Sequence, residues 1–396
     1  MTVDVGAANL AAARAFVGSL ARSGLRHAVV CPGSRSTPVA LALAERPDLR
    51  LWIHVDERSA AFFSLGMAKA LAEPVAMLCS SGTAAANFAP AIVEADLSRV
   101  PLVALTADRP PELRDVGAAQ TVDQIRLYGD AVRLFVDLPV PTGDDALRRH
   151  AELVAARAMT TAREAPAGPV HVNLPFREPL LPLRLDSIEE RGASVSSGPV
   201  ARPRRIEPRD EDLDSVVCAI AASERGVIIC GPLDSPALAP AVARLAAASG
   251  FPILADPLSQ VRCGRHDRRL VIDRYDAFLR DDAVAQSLAP DLVLRFGAMP
   301  TSKALTRFLD RFPGERHILV DDGSPWRDPI GRASDVVRGA PPLTADRLAS
   351  VIADRAVPAA VAWGAEWRAV NAAASAAIDD ALSQQDLPFE SGVFPL

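Results

Sequence analysis

The chain has 396 residues, of which 49% are hydrophobic and 23% charged, and its net charge at pH 7 is −6. This composition is typical of a globular protein with a large core, long enough for two ordinary domains. The acidic balance gives no overall signal for a nucleic-acid-binding surface. No apolar run reaches the roughly 18 residues of a membrane span, and the N-terminus does not resemble a signal peptide. We therefore expect a cytoplasmic protein that binds neither nucleic acid nor membrane.

Residues 1–185 alternate between short apolar runs and helical patterns. The strand-like runs are HAVVC (27–31), LRLWIHV (49–55), PVAMLCS (74–80), VPLVALTA (100–107), VRLFVDL (132–138) and GPVHVNLP (168–175). Continuous runs of Val, Leu and Ile with helices between them predict a parallel sheet that is covered on both faces. The helical patterns include TAAANFAPAIVEADLS (83–98) after the third run and VDQIRLYGD (122–130) after the fourth. We interpret this region as one α/β domain.

A linker and a second α/β domain are predicted to follow. Residues 186–209 are rich in Pro, Ser, Gly and Arg and show no periodicity, which favours a linker. Further strand-like runs occupy 225–231, 251–256, 290–297 and 316–323. They predict a second parallel, Rossmann-like domain over 210–357, although GxGxxG is missing from it. The remaining residues, 358–396, contain one helical pattern, which we interpret as a connecting helix, and a tail.

Four polar motifs follow strands of the first domain, where ligands of parallel sheets bind. They are CPGSRSTP (31–38), DERSA (56–60), SSGTAAAN (80–87) and ADRPPELRDVGAAQTVDQ (107–124). Together they would bring four arginines to one rim: Arg35, Arg58, Arg109 and Arg114. Such a rim suits a substrate with several carboxylates, because Arg binds a carboxylate through two parallel hydrogen bonds.

An alternative interpretation of the rim stays open at this point. Arg35 and Arg109 could instead pair inside the fold with one of three aspartates, namely Asp56, Asp108 and Asp115.

Two acids, Asp56 and Glu57, stand where an apolar strand gives way to a helix. One of them could cap the helix, a usual role for Asp at such a turn. The other would then point into the cleft and could exchange a proton with a weakly basic ring nitrogen. The residues alone do not select a reaction.

The four motifs are similar to those of thiamine-diphosphate enzymes, and most closely to the menaquinone-pathway branch of that family. GPVHVNLPFREPL (168–180) resembles the run that closes the family's pyrimidine-binding domain, and PTSKALTRFL (300–309) fits its central domain. The resemblance covers essentially the whole chain. It implies a transferase that decarboxylates 2-oxoglutarate on thiamine diphosphate and joins the remaining unit to isochorismate.

The resemblance also implies roles for cofactor residues. Glu57 would hydrogen-bond the aminopyrimidine ring of thiamine diphosphate and promote the proton transfer that activates it. Thr83 and Asn87 lie in the loop that would face the pyrimidine, although Asn87 could equally be an ordinary residue on a helix surface.

Further roles concern the two substrates. Ser34 and Arg35 match positions near substrate carboxylates, and Arg109 and Gln120 match positions that contact isochorismate or the adduct. Lys303 matches a substrate contact in the central domain. We interpret the two other rim arginines, Arg58 and Arg114, as members of structural ion pairs.

The family's third domain carries a Gly-Asp motif, followed later by Asn, that holds Mg²⁺ or Mn²⁺ on the cofactor's diphosphate. The Gly-Asp pairs at 129–130 and 143–144 both fall inside the first domain. We therefore expect that domain to be absent, with no metal ligand in this chain. In this family the site forms between subunits, so the resemblance implies a homodimer or homotetramer and an inactive isolated chain.

Two other functions remain open. The chain could be a non-catalytic or regulatory fragment that binds anionic ligands through its arginines. It could also belong to another lyase of the same family, similar to acetolactate synthase. The motifs GSRS and ADRPPELR fit a dicarboxylate and a ring acid better than pyruvate.

Overall fold

The computed structural model describes residues 4–182, 205–323, 327–355 and 359–384. The chain divides into two compact units, residues 1–204 and 205–396. This division falls inside the predicted linker. Residues 186–204 of that linker and 385–396 of the predicted tail lie outside the described residues.

The first unit alternates strands and helices, as the apolar runs predict. Its strands are β1 (His27–Val30), β2 (Arg50–Ile53), β3 (Val75–Cys79), β4 (Leu102–Asp108), β5 (Leu134–Asp137) and β6 (Val170–Pro175). Its helices are α1 (Val5–Arg22), α2 (Thr37–Ala44), α3 (Glu57–Leu71), α4 (Thr83–Ala86), α5 (Ala89–Ser98) and α6 (Asp145–Arg163). Short 3-10 turns occupy Pro111–Leu113 and Gly129–Ala131.

The six strands form one parallel sheet in the order β2-β1-β3-β4-β6-β5. One apolar core lies between the sheet and α1, α2 and α6, and a second lies between the opposite face and α3 and α5. Two-sided burial explains why the central strands are continuously apolar. The chain order reverses between β1 and β3, which makes their carboxyl ends the expected ligand crevice.

Three local predictions were wrong. The run 49–55 forms only the edge strand β2 and is not buried, since Ile53 is 63% and Val55 is 88% exposed. The single helix predicted after β3 is broken into α4 and α5, because Pro90 lacks the N–H that a continuous helix needs. The helical pattern VDQIRLYGD (122–130) is a series of turns with one 3-10 turn.

The second unit repeats the architecture. Its strands are β7 (Gly226–Cys230), β8 (Ile253–Ala255), β9 (Val271–Ile272), β10 (Leu292–Phe296), β11 (Arg316–Asp321) and β12 (Asp335–Arg338). Its helices are α7 (Asp210–Ala222), α8 (Leu238–Ser249), α9 (Tyr275–Phe278), α10 (Asp282–Ser287), α11 (Lys303–Arg311), α12 (Pro341–Asp354) and α13 (Val361–Ser383). All strands pair in parallel, in the order β12-β11-β10-β7-β8-β9.

Helix α13 is the element that we predicted as a connection beyond residue 357. It packs Trp363 and Trp367 into the core of the second unit, where they are 5% and 0% exposed. The Trp363 indole N–H donates to the carbonyl of Gly226 at 2.9 Å. With this helix in place, the structure confirms the predicted fold class of two successive parallel α/β units.

Candidate active site

The loops that follow β1 and β3 lead to helices on opposite faces of the first sheet. The two loops are in contact at their first residues. A Cβ atom added at Gly33 would lie 2.4 Å from the Cβ atom of Ser80, so only glycine fits between the loops. Ser34 follows directly and is exposed. Its hydroxyl makes no hydrogen bond with any described residue, which leaves it available to a ligand at this rim.

Asp56 and Glu57 differ in what their carboxylates contact. Asp56 accepts the backbone N–H of Ser59 at 2.7 Å and is the residue that caps α3. Glu57 begins the helix, is half-buried, and makes no hydrogen bond or ion pair within the described part of the chain. Burial raises the pKa of the Cys31 thiol, at the end of β1, to about 12, and the charges of Glu57 and Asp56 add to the shift. Glu57 therefore lies close to the switch point.

Arg35 is the most deeply buried of the predicted substrate residues, with 7% of its surface exposed. It donates to the carbonyl of Phe176 at 2.9 Å and forms an ion pair with Glu178 at 2.7 Å. Its Nε is buried without a partner among the described residues. Arg35 is therefore held inside the fold, but by Glu178 and not by any of the three aspartates that we considered.

Arg109 is half-buried, and no carboxylate of the described residues lies within ion-pair distance of its guanidinium. The guanidinium donates to the hydroxyl of Ser81 and, at 2.8 Å, to the carbonyl of Gln120. Burial lowers the pKa of Arg109, and the positive charge of Arg35 lowers it further, whereas the charges of Asp108 and Glu178 oppose the shift. The two guanidinium groups thus lie close enough to repel each other, and an anion bound beside them would add to the partial relief that Glu178 gives.

Gln120 joins the loop after β4 to the loop after β3. Its side-chain amide donates to the carbonyl of Ser81 at 3.1 Å, and the Ser81 hydroxyl donates back to the Gln120 carbonyl at 3.2 Å. Gly82 has φ +80°, and a Cβ atom there would lie 2.9 Å from Gln120 Cγ. The structure therefore brings Arg109 and Gln120 together with the loop after β3, which carries Gly82 and Thr83.

Thr83 and Asn87 lie at the two ends of the one-turn helix α4. Both are exposed, and neither side chain makes a hydrogen bond within the described ranges. Because residues four apart share one side of a helix, their polar groups face the same way. This arrangement leaves both available to a ligand.

Of the two arginines that we interpreted as structural, only Arg114 forms ion pairs. Arg114 pairs with Asp108 at 2.8 Å and with Asp137 at 3.0 Å. Arg58 is exposed and has no ion pair within the described residues. The pKa of Asp56 is lowered mainly by its hydrogen bond from Ser59, and to a lesser extent by the charge of Arg58.

Lys303 belongs to the second unit, where it is the first residue of α11 and is exposed. The helix is capped by Ser302, whose hydroxyl accepts the N–H of Leu305 at 3.1 Å. The preceding Thr301 donates through its N–H and its hydroxyl to the fully buried Asp256, at 2.7 and 2.9 Å. A buried carboxylate thus fixes the start of the helix that presents Lys303.

Sequence reasoning missed the fully buried polar side chains beneath the rim. Asn173 lies in the core strand β6, and Gln124 ends the loop that carries Arg109. A signal was present, since GPVHVNLP places His171 and Asn173 at alternate positions and therefore on one face of an otherwise apolar strand. We interpreted that strand only as the end of the domain.

Two general features of the described ranges bear on function. None of their helices has the length and apolar character needed to cross a membrane. Nor do they contain a group of three or more His, Cys, Asp and Glu side chains arranged to hold a metal ion.

Both units of the chain match domains of one known enzyme family. Residues 10–127 match the family described as thiamine pyrophosphate enzyme, N-terminal TPP binding domain. Residues 209–387 match the middle domain of thiamine pyrophosphate enzymes.

The curated relatives include three proteins that are each called 2-succinyl-5-enolpyruvyl-6-hydroxy-3-cyclohexene-1-carboxylate synthase. The chain is 52% identical to the one from Geobacillus kaustophilus, 49% to that of Geobacillus thermodenitrificans and 48% to that of Chloroflexus aurantiacus. Each similarity covers 96% of this chain, which spans 64–66% of the length of these relatives. The chain therefore belongs to the thiamine pyrophosphate enzymes and contains their N-terminal and middle domains.

Proposed function

We propose that the chain supplies the pyrimidine-binding and middle domains of a synthase in menaquinone biosynthesis. This enzyme would decarboxylate 2-oxoglutarate and add the remaining four-carbon unit to isochorismate. The observation that carries the proposal is the pair of neighbouring arginines, Arg35 and Arg109, at a switch point that also holds Glu57. The Glu57 carboxylate has no partner among the described residues. The name shared by relatives at 48–52% identity supports the same reaction.

The residues at the switch point fit the pyrimidine half of thiamine diphosphate. The Glu57 carboxylate is free to share a proton with the ring nitrogen of an aminopyrimidine, which is polar and weakly basic. Thr83 and Asn87 offer further hydrogen-bonding groups from α4. When bound, the cofactor supplies the electron sink that allows a 2-oxo acid to lose carbon dioxide. The contacts to its diphosphate and to Mg²⁺ or Mn²⁺ are assigned to the family's third domain.

The substrate groups of this proposal are carboxylates, and the arginines are suited to bind them. Both 2-oxoglutarate and isochorismate carry two carboxylates, and each charge-assisted hydrogen bond from Arg contributes roughly 1.5–3 kcal/mol. Arg35 has an unused Nε, and Arg109 lacks any acidic partner among the described residues. Ser34 and Gln120 add neutral donors at the same rim. Lys303 is proposed as a substrate contact from the middle domain.

A homodimer or homotetramer is part of the proposal. Several large apolar side chains around the edge strand β2 and along α3 are exposed in the single chain. These are Ile53 (63%), Val55 (88%), Phe62 (44%), Phe63 (36%) and Leu71 (44%). Apolar groups that cluster on a surface beside a site favour coverage by another subunit. This surface begins next to Glu57, as a site shared between subunits requires.

The test of substrate identity uses the chain followed, after α13, by the C-terminal third of the Geobacillus kaustophilus relative. Consumption of 2-oxoglutarate and of pyruvate is measured with thiamine diphosphate, Mg²⁺ and isochorismate. We expect 2-oxoglutarate to be preferred by at least about 10²-fold, because pyruvate lacks the second carboxylate and leaves an arginine unpaired. The 396-residue chain without the addition is assayed in parallel and is expected to be inactive.

Two outcomes would replace the proposal. A preference for pyruvate would favour a lyase similar to acetolactate synthase. Binding of 2-oxoglutarate without turnover in the fusion, while the complete Geobacillus kaustophilus enzyme is active in the same assay, would favour the non-catalytic or regulatory fragment.

A further inference from the structure

Asn173 lies near the carboxyl end of β6, the strand between β4 and the edge strand β5, and none of its surface is exposed. Its side-chain amide contacts four polar side chains, of which three are fully buried and the fourth, that of Asp137, is 30% exposed. We call the five residues the Asn173 cluster: Thr106, Asp108, Gln124, Asp137 and Asn173. Two of them, Asp108 and Asp137, form ion pairs with the rim arginine Arg114.

The amide of Asn173 uses its full hydrogen-bonding capacity. Its oxygen accepts from the hydroxyl of Thr106 at 2.8 Å and from the amide of Gln124 at 2.9 Å. Its nitrogen donates to the carboxylates of Asp108 and Asp137, both at 2.9 Å. An amide has two donor hydrogens and two acceptor lone pairs, so all four are occupied. The reverse orientation would place the oxygen against two carboxylates.

Two hydrogen-bonded connections, which we call the Asp108 arm and the Gln124 arm, extend from the cluster to the loop 109–124 and to the loop of Gly82 and Thr83. Asp108 pairs with Arg114 and accepts the backbone N–H of Arg109 at 2.7 Å, which fixes the start of the loop 109–124. Gln124 ends that loop, and its oxygen accepts the backbone N–H of Gly82 at 2.9 Å. The same amide donates to the carbonyl of Ala107 at 3.2 Å. Both ends of one loop and the first turn of the other are therefore tied to Asn173 or its direct partners.

We infer that Asn173 is a positioning residue, which sets the loop of Arg109 and Gln120 against the loop of Gly82 and Thr83. The inference rests on the proposed function only for the assignment of the first loop to substrate and the second to cofactor. A charged group in place of the amide cannot donate to Asp108 and Asp137. The carboxylate would still accept from Thr106 and Gln124, but it would repel Asp108 and Asp137. The Asp108 arm would then separate from the Gln124 arm, and the two loops would lose their common anchor.

The test compares Asn173→Asp with Asn9→Asp in the 396-residue chain, by amide hydrogen exchange without any ligand. Asn9 is also fully buried, and its amide donates to the carbonyls of Arg177 and Pro179 at 2.8 and 3.2 Å. The same isosteric change there removes two hydrogen bonds from the same unit. Asn9 is linked to the loop 109–124 only through the exposed ion pair of Arg177 with Glu112, a kind of pair that contributes about 0–1 kcal/mol. We expect Asn173→Asp to accelerate exchange in peptides covering 80–87 and 109–124 by about tenfold or more, the factor for loss of one charge-assisted hydrogen bond.

Asn9→Asp is expected to leave exchange in both loops within about twofold of the wild type. Equal acceleration by the two variants, or unchanged loops in Asn173→Asp, would overturn the inference. Should Asn173→Asp fail to fold, Gln124→Met carries the test, because Met matches the volume of Gln. It removes the arm to Gly82 together with the hydrogen bonds to Asn173 and to the carbonyl of Ala107, and leaves the Asp108 arm in place. Faster exchange at Gly82 in that variant would support the inference, and wild-type exchange there would overturn it.

The outcome of the exchange test does not depend on whether the proposed function is correct. Loosened loops in Asn173→Asp, together with a preference of the fusion for pyruvate, would leave the positioning role in place and remove only the substrate assignment. Unchanged loops in Asn173→Asp, together with a preference of the fusion for 2-oxoglutarate, would remove the positioning role and leave the substrate assignment in place.

Discussion

Arg114 and Asp108 form an ion pair of 2.8 Å in which the Asp108 side chain is fully buried and that of Arg114 is 16% exposed. The same loop carries a second ion pair, between Glu112 and Arg177, whose side chains are 48% and 45% exposed. The two ion pairs therefore differ in burial, although each joins an arginine to an acid and each involves a residue of the same loop.

Arg114→Gln should destabilise the protein far more than Arg177→Gln. The first variant leaves two carboxylates without their cation below the rim, which costs roughly 3–5 kcal/mol for a buried pair. The second removes an exposed pair that contributes about 0–1 kcal/mol. Urea unfolding of the two variants measures the difference. Equal losses would mean that the buried pair does not anchor the loop.

Asp56→Ala and Glu57→Gln should differ in their effect on stability, although the residues are neighbours. Asp56 caps α3, and loss of such a cap costs about 1–2 kcal/mol. Glu57 makes no hydrogen bond within the described residues, so its replacement removes only a charge near the helix N-terminus and should cost below about 0.5 kcal/mol. Thermal unfolding gives both values. A loss for Glu57→Gln as large as that for Asp56→Ala would show that its carboxylate has a structural partner.

Gly82→Ala should disturb the site, whereas Gly117→Ala in the neighbouring loop should not. Both glycines have positive φ, +80° and +73°, so both substitutions carry backbone strain. Only at Gly82 would the new Cβ atom also meet Gln120, at 2.9 Å from its Cγ and 3.1 Å from its carbonyl oxygen. We expect Gly82→Ala to cost about 1–3 kcal/mol. Amide exchange across 80–87 should rise in this variant alone, because Gly117 belongs to the loop 109–124 and a Cβ atom there would meet nothing within 4 Å.

His171 should make the first unit less stable in mild acid. Burial lowers its pKa to about 3, against the weaker opposing charge of Asp137. The Thr106 hydroxyl has one hydrogen, which it donates to Asn173, so His171 Nε2 donates to Thr106 at 2.8 Å. The folded protein therefore keeps a neutral ring, with the hydrogen on Nε2.

The sign of the pH dependence follows from proton binding. Below pH 6.5 the unfolded chain takes up a proton at His171 that the folded chain does not bind, so stability falls as the pH is lowered toward 3. The slope from one such histidine is at most about 1.4 kcal/mol per pH unit. Urea unfolding at several pH values should give a flatter profile for His171→Gln than for the wild type. The exposed His150→Gln is the control, and an unchanged slope in His171→Gln would contradict the assignment.

The continuous apolar character of the central strands was sufficient to predict a parallel sheet with two covered faces. All five residues of β3 are buried, as their sequence VAMLC indicates. The same reasoning failed for β2, because the position of a strand in a sheet depends on which strands pair with it. With only β1 beside it, β2 leaves Ile53 and Val55 exposed.

Partners of the site residues could not be predicted from the sequence for a related reason. The acid that pairs with Arg35 lies 143 residues away in the sequence. Several aspartates that are nearer in the sequence could have formed an ion pair of the same kind. Asn173 likewise draws its four partners from 36 to 67 residues away. Such contacts exist only after the strands have ordered. The motifs at the strand ends could still be placed on one rim, because that follows from the parallel topology alone.

The most direct test of the account is the turnover number of the fusion protein with Glu57→Gln, measured with 2-oxoglutarate and isochorismate. If Glu57 moves the proton at the cofactor ring, kcat should fall by about 10²–10⁴-fold while thermal stability is nearly unchanged. Glu73→Gln, an exposed acid just beyond the other end of α3, should keep the activity of the parent. Turnover of Glu57→Gln equal to that of Glu73→Gln would contradict the central claim that this strand-to-helix turn is the catalytic centre.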